Sequence, residues 1–382
     1  MKNYLDFLGN YLIKINIKKL IFILLIISIF KNGFWYHPGL WNMLEIAKNP
    51  FANIFGEETN KYYLYSSWLS PYLSYLLNFN TKISFFLFHL FFSFSFLIYF
   101  FLLIKKFVNI KYWNRSIIVF FIFPISMAPF YWVGYDSLLL LLIVMSIYYN
   151  KNLIVVLLCS LGIGLQHFEI GFVAITILLL CKIFELIIYS KKKNTTFILN
   201  YSYIVFFFLG LIIGKIILFK IYSQANFATG RLDWISNSLL HLIYNFYFNF
   251  YNIIWFSLGV GWFFILKYFF DEKNKSSLII SLMLLLAILP IVDDHTRVYS
   301  SISFIILIVH IICNNNFLRK ISKCEITVLF TIWLLMPYSW VWQGDLRQSM
   351  FQYNLAYVLN YFFDIFNNNI ESSTIWPFMR FK

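Results

Sequence analysis

Three short runs concentrate the side chains with which this chain could do chemistry. Asp136 follows Gly134 and Tyr135; Gln166, His167 and Glu169 form a second group; Asp293, Asp294, His295 and Arg297 form the densest. A positioned carboxylate can take the proton of an acceptor hydroxyl. An arginine grips phosphate oxygens with paired hydrogen bonds and keeps its charge when buried. Together these groups suit a substrate with an anionic headgroup. Further polar positions are His37, Glu45, Glu57 and Glu58 in the stretch 32–82, Arg231 with Asp233, and the run Gln343 to Arg347. Each run also has a purely structural reading: Asp136 as a helix N-cap, 166–169 as a polar turn, 293–297 as a solvated loop with a local ion pair. His37, His167 and His295 with nearby carboxylates could hold a divalent cation, but no ligand spacing fixes a metal site and no cofactor is assigned.

The elements that must carry these residues are apolar. Of 382 residues, 61% are hydrophobic and 12% charged, with a mean hydropathy of +0.75. That excludes a soluble enzyme, a nucleic-acid-binding module, a disulfide scaffold or a disordered chain. The expected fold is all-α and polytopic, with about eleven membrane-spanning helices. The first starts at Leu20. The others lie near 83–104, 116–133, 136–149, 152–165, 168–188, 197–220, 250–268, 276–292, 298–314 and 325–341. Segment 62–79, broken by Pro71, reads as a helix lying in the interface. Residues 1–345 form one transmembrane domain with a long first loop at 32–82, and 346–382 an interfacial tail. The four cysteines fall in no metal or redox spacing.

Charge sorts the loops. Lys14, Lys18 and Lys19, the group Lys105 to Arg115, Lys191 to Lys193, Lys267 to Lys275 and Arg319 to Lys323 share one side. The formal charge of +14 is therefore mainly a topology signal, placing that side and the N-terminus in the cytoplasm of a cell (inner) membrane. Most acidic residues, and all three chemical runs, fall on the other side. The sequons at Asn114, Asn194 and Asn274 lie on the basic side, which argues against glycosylation. Spans 136–149 and 152–165 measure only ~21 Å at 1.5 Å per residue. Asp136, His167 and Glu169 should then sit recessed in an outward-facing cleft. Trp35, Tyr36, Trp132, Tyr135, Trp340 and Trp342 share that level, where they could stack on sugars or form the usual aromatic belt.

This layout resembles the polytopic GT-C glycosyltransferases, which take sugars from polyprenyl-phosphate donors on the non-cytoplasmic face. The resemblance covers residues 15–315 and rests on a basic N-terminus, a long first outer loop and paired spans with carboxylates at their outer ends. The run 134–142 followed by 161–169 is similar to the Asp-led span and polar break of that family. Residues 293–300 are similar to its late outer-loop arginine. The resemblance implies a polyprenyl-phosphate-linked sugar donor, a glycan or lipid acceptor, surrounding membrane lipids and no nucleic-acid partner. It assigns Arg297, with Arg231 or Arg347, to the donor phosphate, and Asp136 or Glu45 to the base. His167, Glu169, Asp294 and His295 would contact substrate. The chain departs from the family after its first span, where 32–38 holds no carboxylate. O-antigen polymerases, also arginine-dependent at their outer face, are the nearest alternative. A transporter or flippase would instead show interrupted helices, midplane polar groups and repeat symmetry, and in a non-enzymatic scaffold the polar runs would be incidental.

Overall fold

The computed structural model describes residues 2–32, 39–56, 59–131, 133–188, 199–225, 231–272, 276–349 and 378–380. Trp35, Tyr36, His37, Glu57, Glu58, Trp132, Lys191 to Lys193, Asn194, Asn274 and most of the tail after 349 lie outside these, as do the side chains of Tyr135, Arg231, Asp233 and Arg347.

The described chain is nearly all helix. α1 (Lys2–Lys14) and α2 (Ile17–Asn32) lead to α3 (Leu40–Lys48) and α4 (Leu69–Leu76), then to the long α5 (Lys82–Phe107), which opens on a Thr81/Ser84 capping box. α6 (Trp113–Ile122) ends at Pro124, where the chain turns by 88° into α7 (Ala128–Tyr131). Proline has no N–H to continue the ladder and forces Phe123 into an extended conformation. α8 (Tyr135–Tyr148), α9 (Leu153–Ile188), α10 (Tyr201–Gln224), α11 (Arg231–Leu258), α12 (Trp262–Asp271) and α13 (Ser276–Leu286) follow. The chain continues through α14 (His295–Leu307), which runs into a π-helical turn over 308–312, α15 (Asn315–Lys320) and α16 (Lys323–Leu335). Among the described residues five helical stretches are long and apolar enough to cross a membrane, six if the bent pair at Pro124 counts as one.

α9 is two limbs. His167 leaves helical geometry (φ −165°, ψ 74°), and a Cβ placed on Gly171 would lie 2.5 Å from Ile163 Cγ2. Eight residues of straight helix would separate those positions by about 12 Å; the chain has doubled back. α10 packs along both limbs through small residues. A Cβ on Gly164 would meet the Leu211 carbonyl at 2.5 Å, and Cβ atoms on Gly210 and Gly214 would run into backbone at Leu157 and Leu161. Gly210 and Gly214 are the GxxxG spacing that lets helices approach backbone to backbone.

Three expectations change in detail. The helix expected over 325–341 stops at Leu335, since Pro337 sets Met336 extended. Beyond it Ser339–Trp342 (β1) and Asp345–Ser349 (β2) form a hairpin, with Phe378–Arg380 (β3) on its far edge, so the tail boundary expected at 345/346 cuts through a strand. Gln343 and Gly344 both have positive φ, the two-residue turn that matches strand twist. Segment 62–79 is a 3-10 helix (Thr59–Ser67) followed by α4. It is anchored to the bundle: Trp68 N–H donates to the Leu165 carbonyl and Ser70 N–H to Gln166 Oε1.

Polar contacts between distant segments tie together two groups of residues. At the basic end Asn114 donates to the carbonyls of Leu12, Ile13 and Ile15, Arg115 to those of Leu318 and Arg319, and Lys267 pairs with Glu325. Asn114, so buried, is no glycan acceptor. At the other end the first loop meets the His167 turn, Tyr222 donates to the Tyr65 carbonyl, and the hairpin meets α14.

Gly214→Val should cost roughly 1–3 kcal/mol by overpacking the α9–α10 contact. Thermal unfolding in detergent will register the loss, and an unchanged midpoint would contradict this packing.

Candidate active site

Asp136 stands in the first turn of α8, behind Gly134 at the cap position. It makes no capping bond there. Both its oxygens accept from Arg297 Nη1, at 3.1 and 2.9 Å. Arg297, in the first turn of α14, also donates from Nε to Asp294 Oδ2 at 2.6 Å. One guanidinium therefore holds two carboxylates from two helices. Asp136 is 2% exposed and Arg297 9%, so the 293–297 run is no solvated loop.

The hairpin after α16 fixes this cluster from above. Gln343 N–H donates to the Asp293 carbonyl at 2.7 Å, Val341 N–H to Thr296 Oγ1 at 3.0 Å, and Trp342 bridges Asp294. The Trp340 indole stands beside the Asp294 carboxyl; being fully buried, it offers no open face for a sugar. Below, Ser137 and Ser93 share a hydrogen bond at 2.8 Å, and Ser93 donates to the Pro129 carbonyl. The sharp turn after Pro124 is what delivers that carbonyl.

Two carboxylates against one arginine leave a net negative charge in a poorly hydrated place. Burial pushes the Asp294 carboxyl up to about 6, with Asp136 adding to the rise and Arg297 opposing it. Asp293 is raised too, by burial, against a hydrogen bond from Gln343 and the nearby charge of His241. His295 is fully buried, and neither ring nitrogen has a hydrogen-bond partner among the described residues. A neutral imidazole carries one donor and one acceptor, so this ring keeps unused polar capacity beside Asp294.

His167 and Glu169 form a second group. Glu169 accepts from Lys215 at 3.2 Å, and His167 Nδ1 lies 3.6 Å from its other oxygen. Gln166 ties the turn to α4 through both ends of its amide, the second bond reaching Ser70 Oγ at 3.1 Å. Glu45 is drawn elsewhere: its half-exposed carboxylate binds Lys48 at 2.7 Å. Arg231 opens α11. Among the described residues no three His, Cys, Asp or Glu side chains converge to hold a metal ion.

Sequence reasoning overlooked Lys31 and Tyr338, and gave Gln343 no role beyond its place in a polar run. Lys31 is the lone lysine ending an apolar helix on the acidic side, a signal open to notice. Tyr338, which feels the Asp294 charge, and Gln343 reach the cluster only because the last helix stops early. Compared with known protein families, characterised proteins and solved structures, the chain matches none.

Two outcomes test this geometry. Asp136→Asn and Arg297→Gln should each destabilise the protein, and the double variant should fall short of their sum by about 0.5–3 kcal/mol. Additive effects in detergent unfolding would show that the pair is not coupled. The raised Asp294 carboxyl favours folding most when protonated, a contribution lost as pH rises through about 6. Lowering pH from 7 to 5 should thus stabilise the natural protein relative to Asp294→Asn; a pH-independent difference would contradict it.

Proposed function

We propose that this chain is a membrane glycosyltransferase that takes a sugar from a polyprenyl-phosphate donor. It would act at the non-cytoplasmic face of a cell (inner) membrane, in cell-surface polysaccharide or glycolipid assembly, with the N-terminus cytoplasmic and about eleven spans. The observation that carries this reading is Arg297 bridging Asp136 and Asp294 at the end of the bundle opposite the basic collar. Buried charge is costly at membrane depth and is kept where it has work to do.

In this reading Asp294 is the base. A carboxyl near 6 can accept a proton at neutral pH while still giving a useful driving force. The acceptor hydroxyl passes its proton to Asp294, its oxygen attacks the anomeric carbon, and the sugar–oxygen bond to the phosphate breaks, releasing the lipid phosphate. Arg297 and Asp136 then fix the base in place. This shifts Arg297 from the phosphate-holding role implied by the family resemblance, because both its carboxylate partners would repel an incoming phosphate. His295 contributes a hydrogen bond to the acceptor. His167 and Glu169, with Lys215, shape the neighbouring wall.

A transporter is the second reading, favoured by the interrupted helices at Pro124, His167 and Asn249. One experiment separates them. Protein in nanodiscs, given a lipid-linked sugar extract and an acceptor glycan, should release lipid phosphate, and Asp294→Asn should lower that rate about 100-fold or more. An unchanged rate in folded Asp294→Asn, or no release by the natural protein, would sink the transferase reading.

A further inference from the structure

Arg297 is neutralised by its own carboxylates, so a phosphate-bearing ligand needs another cation. The structure offers one. Lys31, on the last turn of α2, is 3% exposed and lines a shallow open cleft of about 50 Å3. Its ammonium donates to the Trp333 carbonyl in the last turn of α16 and lies 4.3 Å from the centre of the Trp333 ring. No carboxylate pairs with it among the described residues, and the adjoining stretch 32–38 contains none. An ammonium has three N–H donors, and one carbonyl occupies only one of them.

The helix-end bond is by itself a structural role, since a cation suits a helix C-terminus. It does not explain the cleft. A buried charge without a counter-ion costs several kcal/mol, and here that charge faces an accessible space. The rest of the lining is largely apolar, including Phe123, Met127, Phe256 and Val260. Such a site fits an anion carried on a hydrocarbon body.

The cleft also adjoins the carboxylate cluster. Tyr338 and Ser339 form part of its wall. The Tyr338 ring centre is 6.0 Å from that of Trp340, and its phenol feels the Asp294 charge. Tyr338 therefore borders the Lys31 cleft and lies near the carboxylate cluster.

We propose that Lys31 binds the phosphate headgroup of a lipid in this cleft. With the transferase reading, on which only this last step rests, that places the donor phosphate on the Lys31 side of Tyr338 and the reacting sugar toward Asp294.

Binding can be measured without catalysis, by 31P NMR titration of dodecyl phosphate into the full-length protein in dodecylmaltoside micelles. Saturable binding is expected, weakened at least tenfold by Lys31→Gln and kept within a few fold by Lys31→Arg. Val260→Trp, which fills the cleft and keeps the charge, should weaken binding too and covers the case that Lys31→Gln does not fold. Inorganic phosphate should bind at least tenfold more weakly than dodecyl phosphate. No saturable binding, equal binding by folded Lys31→Gln, or inorganic phosphate binding as tightly as dodecyl phosphate would overturn the proposal. Lys31-dependent binding without any sugar transfer would overturn the transferase reading alone and leave the lipid-phosphate site standing.

Discussion

A single guanidinium shared between a buried and a largely buried carboxylate organises one end of this bundle. Removed from water, each charge would be costly alone; together they are held by short, charge-assisted hydrogen bonds. Because the partners come from α8 and α14, whose first turns lie 161 residues apart in sequence, the cluster fixes how the two halves of the chain meet. The Pro124 turn below it and the β1–β2 hairpin above it are the supports that hold those helix starts in place.

The pairing also decides what chemistry remains. Had Arg297 been free, it would be the natural anchor for an anionic headgroup. With two carboxylates on it, the local charge is negative and the raised group is a carboxyl. Lys31, which no carboxylate pairs with among the described residues, lies beyond Tyr338. Under the proposed function, base and anion site would lie on opposite sides of one aromatic residue, an arrangement that would keep an attacking hydroxyl and a departing phosphate apart.

Much of this was legible in the residues. Composition announced apolar helices, and the structure is nearly all helix among the described residues. The polar runs at 136 and 293–297 stood out in the sequence, and they meet. What could not be read was partnership. Asp136 before an apolar run has the same spelling as a helix cap, and only the fold shows that its oxygens go to Arg297. Glu45 looked equivalent to Asp136 but lies on a half-exposed helix face within reach of Lys48. The polar run at His167 does interrupt α9, yet the close packing at Gly164, Gly171, Gly210 and Gly214 that lets the chain double back there depends on three-dimensional contact. The hairpin escaped because Ser339–Trp342 is as apolar as the helix before it, and Pro337 alone separates them.

The most direct test is a structure of the protein in nanodiscs with a lipid-linked sugar bound. The account predicts the headgroup phosphate against Lys31, with the sugar turned past Tyr338 toward Asp294. A headgroup seated at the basic end, among Arg115, Lys267 and Lys320, would contradict it.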